Sequence, residues 1–293
     1  MIMISIVICL AFEMYSARAS HYRDYSWADT LAASLKKLFR DSDFWNGPWG
    51  VVTVLLIPLM ILGLLQNSLN NLWLSVVELI LCVAVLLYCL RYQPMATRVD
   101  KLVIALEDNN HYRADQLAEA ILEAPPAENM VEQISETLLV NVNERLFAVL
   151  VWFAILGPIG ALMYRLSWYF SEQSVHASGG FGQTMHRLHA LLNWLPARLL
   201  ASSYAVVGSF EGAVQGWREV YNHPPADREV LNQTIMLSAG KHALNFNTFR
   251  TETENGAVSM DVKAIAAAHG LVMRSMLAWG IVISVLTLAG WST

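Results

Sequence analysis

The sequence contains two apolar stretches, VVTVLLIPLMILGLL at residues 51–65 and LWLSVVELILCVAVLLYCL at residues 72–90, separated by six uncharged residues. The only charged side chain between residues 51 and 90 is Glu78. Because a lipid core offers no water to backbone polar groups, such apolar segments cross it as helices, which satisfy those groups internally. The pair therefore predicts a transmembrane helical hairpin.

The composition also indicates a membrane protein. The chain is 55% hydrophobic and only 15% charged, against about 25% charged residues in soluble domains. A net charge of -5, with no cluster of Lys or Arg longer than a pair, argues against nucleic-acid binding. The eight histidines form no recognisable ligand set and no glycine-rich phosphate loop is present, so we expect neither a metal nor a cofactor.

Six segments are predicted to span the membrane: 2–16, 50–65, 72–90, 146–170, 189–210 and 270–291. Lys and Arg concentrate in the connections 17–49, 91–145 and 211–269, which fall on one side if all six segments cross. The positive-inside rule places that side in the cytoplasm and both termini outside. The sequence thus predicts an all-α, polytopic membrane helical bundle, a single membrane domain over 1–293 with short helical cytoplasmic segments.

The connection 91–145 has apolar residues at helical spacing. They are Met95, Val99, Leu102 and Leu106, then Leu117, Ile121 and Leu122, then Met130, Ile134, Leu138, Val142 and Leu146. Asn109-Asn110 and Pro125-Pro126 separate these stripes, which predicts three short helices.

Polar residues at two places in the sequence are candidates for a ligand site. They are Glu136, Asn143, Glu144 and Arg145 on the third of these helices, and Asn193 and Arg198 beside Pro196 in the fifth span. We expect them to line one polar cavity that opens to the cytoplasm. Arg198 would bind an anionic group, and the carboxylates a cation or an amine. The alternative is that these groups satisfy one another and lock the helices together.

Glu78 lies within a hydrophobic span, where an ionised group is costly and usually has a partner. Arg165 lies at a comparable depth in the predicted topology, and Arg198 lies deeper. We therefore predict a structural ion pair between Glu78 and Arg165.

The stretches NERLF at 143–147, WFAILGPIGA at 152–161, YR at 164–165 and LNWLPARL at 192–199 resemble the AmpE family of bacterial inner-membrane proteins. This family is associated with the regulation of β-lactamase induction. It is related to the CbiB/CobD membrane synthases of cobalamin biosynthesis, which join an aminopropanol group to a corrin carboxylate. The resemblance implies an inner-membrane regulatory protein that senses a ligand linked to the cell wall.

Two other functions remain open. The chain could be a CbiB-like amide-forming synthase of the cobalamin pathway, or an auxiliary subunit of a membrane complex. The sequence motifs alone do not establish an enzyme. The expected partners are the lipid bilayer and either a small anionic ligand or another membrane protein.

Overall fold

The computed structural model describes residues 5–9, 25–38, 47–70, 75–90, 93–126, 129–174, 180–244 and 258–288. This part of the chain is 91% helical and contains no strand. The prediction of an all-α fold is therefore confirmed.

The helices, numbered in chain order, belong to two compact units. Unit 1 contains α1 (Ser26–Leu38), α2 (Pro48–Asn70), α3 (Ser75–Cys89), α7 (Ala148–Ser174) and α8 (Gly180–Val207) as far as Trp194. Unit 2 contains α4 (Gln93–Glu107), α5 (His111–Leu122), α6 (Met130–Val142), the rest of α8, α9 (Phe210–Asn222), α10 (Arg228–Ala243) and α11 (Val258–Leu288) as far as Val285. One turn of π-helix, Asn143–Phe147, joins α6 to α7.

Among the described residues, three helical runs are long and apolar enough to cross a membrane. They are Pro48–Ser68, Met130–Gln173 and Val262–Val282, and they overlap the predicted spans 50–65, 146–170 and 270–291. The shorter apolar helix Val76–Cys89 overlaps the predicted span 72–90. Most of the predicted span 2–16 lies outside the described residues, and 189–210 falls on α8, which is not one of the three runs.

Exposed apolar stripes on two helices support membrane localisation. On α2, Val52, Leu56, Met60 and Leu64 recur every four residues and are 45–63% exposed. On α11, Leu277, Ile281 and Val285 repeat the same spacing and are 58–68% exposed. Residues four apart share one face of a helix, and a soluble monomer rarely exposes a continuous apolar stripe. The protein is a membrane protein, and these stripes are the surfaces suited to lipid.

The apolar stripes predicted between residues 91 and 145 form the core of unit 2, which confirms the helical spacing. Its members are Met95, Val99, Leu102 and Leu106 of α4, Ile121 of α5, and Ile134 and Leu138 of α6, each at most 6% exposed. Ile265 and Ala268 of α11 complete this core.

The ends of these short helices lie at the predicted residues. Asn109 adopts a φ of 53°, and the side chain of Asn110 caps α5 by accepting a hydrogen bond from the backbone N–H of Arg113. Glu123 then ends α5 in the left-handed region with a φ of 58°. Short polar residues tolerate these positions because their side chains can replace missing backbone hydrogen bonds.

The predicted span 146–170 is not a straight helix, because α7 is interrupted at Gly157. This residue has φ 65° and ψ -152°, a backbone conformation essentially restricted to glycine. A Cβ placed on Gly160 would lie 2.2 Å from the carbonyl oxygen of Trp152. In a continuous helix, residues eight apart are separated by about 12 Å along the axis. The chain therefore turns sharply at Gly157-Pro158, in the middle of the predicted span.

We expect Gly157→Ala to lower the free energy of unfolding by about 1–3 kcal/mol, since alanine must adopt a conformation that its Cβ disfavours. No atom lies within 4 Å of the position that this Cβ would occupy, so the effect would report backbone strain alone. Gly280→Ala is the matched control, because it also adds a Cβ to open space but within helix α11. Denaturant unfolding in detergent measures both variants. Equal stability of Gly157→Ala and the wild type would contradict the turn at Gly157.

Candidate functional site

Helices α6 and α10 pack side by side within unit 2 and run antiparallel. Lys241 Nζ on α10 donates hydrogen bonds to Glu132 Oε1 at 2.6 Å and Glu136 Oε1 at 2.7 Å on α6. Further along, Gln233 Nε2 donates to Glu144 Oε1 at 3.3 Å. As the residue number falls on α10 it rises on the facing chain, which is the signature of an antiparallel pair.

The position of Lys241 between two carboxylates sets its protonation state. Burial alone would lower the pKa of Lys241, but the hydrogen bonds to Glu132 and Glu136 outweigh it, so this pKa lies above its ordinary value of 10.5. The ammonium group is therefore charged at neutral pH. Its single positive charge is shared by two acidic side chains that lie one helical turn apart on α6.

A second group of polar side chains in unit 2, here called the polar cluster, surrounds the first turns of α10. Its members are Glu144, Arg198, Tyr221, Glu229, Asn232 and Gln233. Arg198 Nη1 donates to Asn232 Oδ1 at 3.0 Å, and its Nη2 lies 3.4 Å from the Tyr221 hydroxyl. Carboxylate oxygens of Glu144 and Glu229 lie within 4.8 Å of each other. The cluster thus combines two carboxylates, a guanidinium, two amides and a phenol.

The π-helical turn at Asn143–Phe147 carries Glu144 into the polar cluster. The backbone N–H of Asn143 bonds to the carbonyl of Val140, so the Leu139 carbonyl accepts instead from the Tyr204 hydroxyl of α8 at 2.8 Å. Such single π-helical turns are rare and occur frequently at functional sites. This local change in the hydrogen-bond pattern determines where Glu144 points.

The start of α10 is held by a cap and by close packing against α9. The side chain of Asp227 accepts hydrogen bonds from the backbone N–H groups of Glu229 and Val230. Ser238 Oγ donates to the carbonyl of Gly216 on α9 at 2.9 Å. A Cβ on Gly216 would lie only 2.6 Å from the Ser238 carbonyl oxygen, so this approach requires glycine. The hairpin of α9 and α10 therefore fixes Tyr221 relative to Asn232.

Unit 1 contains a set of polar contacts between α7 and α8, here called the polar ladder. Its three rungs are Tyr164 to Asn193, Ser167 to His189 and Ser171 to His186, each with polar atoms 3.2 Å apart. The spacings of three and four residues on each helix keep all the rungs on one face. In an apolar environment such hydrogen bonds favour a single helix register, because any slip would leave buried polar groups unpaired.

Pro196 shapes α8 beside this ladder. A proline has no backbone N–H, so the Leu192 carbonyl, four residues earlier, loses its usual helical donor. In the structure the indole N–H of Trp152 donates to that carbonyl at 3.0 Å. Trp152 therefore satisfies the backbone group that Pro196 leaves open.

The predicted ion pair between Glu78 and Arg165 is not formed. Arg165 is completely buried in unit 1, and none of its guanidinium nitrogens has a hydrogen-bond partner among the described residues. Its guanidinium instead stacks on Trp168 with 4.0 Å to the ring centroid, and Tyr25 lies at 5.6 Å. Aromatic rings can stabilise a desolvated guanidinium through cation–π attraction, a possibility that charge counting along the sequence does not consider.

The six predicted ligand-binding residues make different contacts in the structure. Glu144 and Arg198 lie in the polar cluster. Glu136 is bound to Lys241, and Arg145 forms a pair with the exposed Glu123 at 3.1 Å. Asn143 is buried, and Asn193 belongs to the polar ladder of unit 1. That all six line one cavity stays a prediction.

Helix α10 supplies three of the four cluster residues that the sequence analysis missed, and the fourth, Tyr221, lies on α9. Glu229, Asn232 and Gln233 follow the i, i+3, i+4 pattern of one helix face, and Asp227 precedes them as a recognisable cap. This pattern was available in the sequence. The sequence does not show which residues this face of α10 contacts. Arg198, the partner of Asn232, is 34 residues away along the chain, and Glu144, the partner of Gln233, is 89 residues away.

Replacing Lys241 by Met should lower the free energy of unfolding by about 1–2 kcal/mol at pH 7–9, because it leaves two adjacent carboxylates without their cation. The pKa of Lys241 is raised by folding, so its contribution is complete below 10.5 and disappears as pH rises through the higher folded-state value. The stability difference between wild type and Lys241→Met should therefore shrink above pH 10.5. Denaturant unfolding in detergent from pH 7 to 11.5 measures it, and a difference that grows with pH would contradict this assignment.

Comparison with known proteins identifies relatives. A family model described as CobD/Cbib protein matches residues 6–247. A cobalamin biosynthesis protein CobD from Chromobacterium violaceum is 40% identical over 90 residues, which cover 28% of this chain and 27% of that protein. Another from Stutzerimonas stutzeri is 34% identical over 97 residues, covering 31% of each. The chain thus spans less than a third of the length of either relative in these alignments. No solved structure matches.

These matches correct the function inferred from the AmpE resemblance. The regulatory role in β-lactamase induction is wrong, because the family model and both relatives point to cobalamin biosynthesis instead. The family match extends from within the first predicted span to just beyond the end of α10 and so includes the whole polar cluster. The chain belongs to the CobD/CbiB family of proteins.

Proposed function

We propose that this protein is an amide-forming synthase of cobalamin biosynthesis, which joins an amine to a carboxylate of a corrin. The observation that carries this proposal is the family match over residues 6–247. Both relatives are named as cobalamin biosynthesis proteins, which supports the same pathway.

The polar cluster of unit 2 is the place where we locate the reaction. The two reactants have opposite charges in neutral water, and the cluster holds groups of both signs around one turn of α10. The cluster also lies on the helices that the family match covers. A set of convergent polar groups among helices is the default candidate site in a helical bundle.

The chemistry requires activation of the carboxylate, because a carboxylate does not react with an amine in neutral water. We propose a nucleoside triphosphate as the co-reactant. Its terminal phosphoryl group passes to the carboxylate oxygen, which releases the nucleoside diphosphate. The ammonium first gives one proton to a carboxylate of the protein, which frees the nitrogen lone pair. The amine nitrogen then attacks the acyl carbon, forms the amide bond and expels inorganic phosphate, which takes up the second proton that the nitrogen loses.

We further propose that the protein lies in the inner membrane with both termini outside. The lipid bilayer would cover the exposed apolar stripes of α2 and α11. The basic connections 17–49, 91–145 and 211–269 would face the cytoplasm. The polar cluster, which includes residues of α9 and α10, would then be open to water-soluble substrates on that side.

The test is complementation of a bacterium that lacks its own CobD, grown where it needs the cobalamin that it makes. The wild-type chain should restore growth. Arg198→Gln should fail or grow poorly, because it removes the only cation of the polar cluster. Arg218→Gln is the matched control, since it removes an exposed arginine on α9 outside the cluster, and it should behave like the wild type. Membrane content of each variant is measured by immunoblot.

Failure of the wild-type chain to restore growth, at a membrane content equal to that of the native protein, would overturn the proposed function. Growth of Arg198→Gln at the wild-type rate would leave the proposed role in cobalamin biosynthesis standing. It would contradict the proposal that the reaction takes place in the polar cluster.

A further inference from the structure

We propose that the polar cluster is divided into two poles, with Glu144 and Glu229 binding the ammonium group of the amine and Arg198 binding the carboxylate of the corrin. This assignment rests on the proposed amide-forming function and deepens it by giving each substrate its own residues. It follows from the geometry of the carboxylates, the setting of Glu229, and the arrangement of side chains along α10.

The distance between the two carboxylates suits an ammonium group. A charged N–H donor binds a carboxylate oxygen at 2.7–2.9 Å. For two bonds from one tetrahedral nitrogen, this distance separates the oxygens by about 4.6 Å. Oxygens of Glu144 and Glu229 lie at most 4.8 Å apart, so both are within reach of one ammonium placed between them.

The setting of Glu229 favours a bound cation. Glu229 is 7% exposed, and it is the second residue of α10, where the helix dipole stabilises negative charge. The nearby Glu144 adds like-charge repulsion, which a bridging ammonium would relieve. Gln233 donates to Glu144 and so holds that carboxylate toward α10.

Arg198 forms the opposite pole. The half-buried guanidinium is oriented by Asn232 at 3.0 Å and contacts the hydroxyl of Tyr221, which lies on the exposed side of α9. A guanidinium presents a planar set of donors that matches a carboxylate. A corrin is large, so a cation near the exposed surface is suited to meet the carboxylate that projects from it.

The two poles lie on one face of α10. Asn232 contacts Arg198, and Glu229 precedes Asn232 by three residues. Residues three apart share one face of a helix, so the two bound groups lie on the same side of α10. This arrangement brings the amine nitrogen next to the acyl carbon, as amide formation requires.

Steady-state kinetics of the purified protein in detergent test the assignment, with aminopropanol as the amine, a corrin carrying a free carboxylate as the acceptor and a saturating nucleoside triphosphate as the co-reactant. Glu229→Gln and Glu144→Gln should raise the KM for aminopropanol by about 10- to 100-fold and leave the KM for the corrin within about twofold. Arg198→Lys should do the reverse. Glu119→Gln and Arg218→Gln, both exposed and outside the cluster, should change neither value.

A binding measurement separates this assignment from the reaction and from misfolding. Aminopropanol alone should raise the melting temperature of the wild type but not that of Glu229→Gln. Glu229→Asp, which retains the charge, should keep part of that rise. Melting curves without ligand show whether each variant is folded.

Three outcomes would overturn the assignment. In one, the wild type forms the amide but Glu229→Gln raises the KM for the corrin instead of the amine. In another, aminopropanol stabilises wild type and Glu229→Gln equally. In the third, Mg²⁺ alone stabilises the wild type through Glu144 and Glu229 while aminopropanol does not, which would make the pair a metal site. A wild type that binds aminopropanol but forms no amide would instead contradict the proposed function.

Discussion

The antiparallel packing of α10 on α6 is the constraint on which the candidate site depends. At one end Lys241 is held between Glu132 and Glu136, and at the other Gln233 meets Glu144. Between them Gly240 packs directly on Leu139, with no room for a Cβ. The charged contact selects the register, since a shift of one residue would move Lys241 off both carboxylates. That register then places Glu229 beside Glu144.

Unit 1 obtains its order differently, through polar groups buried among apolar helices. The polar ladder pairs hydroxyls with His and Asn side chains, and the Trp152 indole satisfies the carbonyl that Pro196 leaves open. Each of these groups would be costly without a partner in an apolar environment. The polar side chains that look unusual in an apolar segment thus satisfy hydrogen-bonding groups within it, including the carbonyl left open by a proline. The buried Arg165 is stacked on aromatic rings instead.

The sequence predicted those features that depend on local periodicity. The stripes Met95 to Leu106 and Ile134 to Leu138 are buried as expected, and a helix begins after the predicted break at Asn109-Asn110, with Asn110 as its cap. The turn at Gly157 was missed because hydropathy carries no information about the backbone angles φ and ψ. Of the predicted site, Glu144 and Arg198 lie in the polar cluster, whereas Glu136 and Arg145 form ion pairs. The contribution of α10 depends on contacts 34 to 109 residues apart, which periodicity does not encode.

The central claim, that α10 packs antiparallel on α6 in this register, is tested most directly by disulfide formation. In a chain whose three native cysteines are replaced by serine, Leu139→Cys and Gly240→Cys would introduce a pair at the closest approach, where the Leu139 Cγ lies 3.3 Å from a Cβ on residue 240. Mild oxidation should yield a peptide linked between residues 139 and 240 in mass spectrometry. The pair Leu139→Cys and Ser238→Cys should remain unlinked, because Ser238 faces α9. Linkage of the second pair in preference to the first would contradict the account.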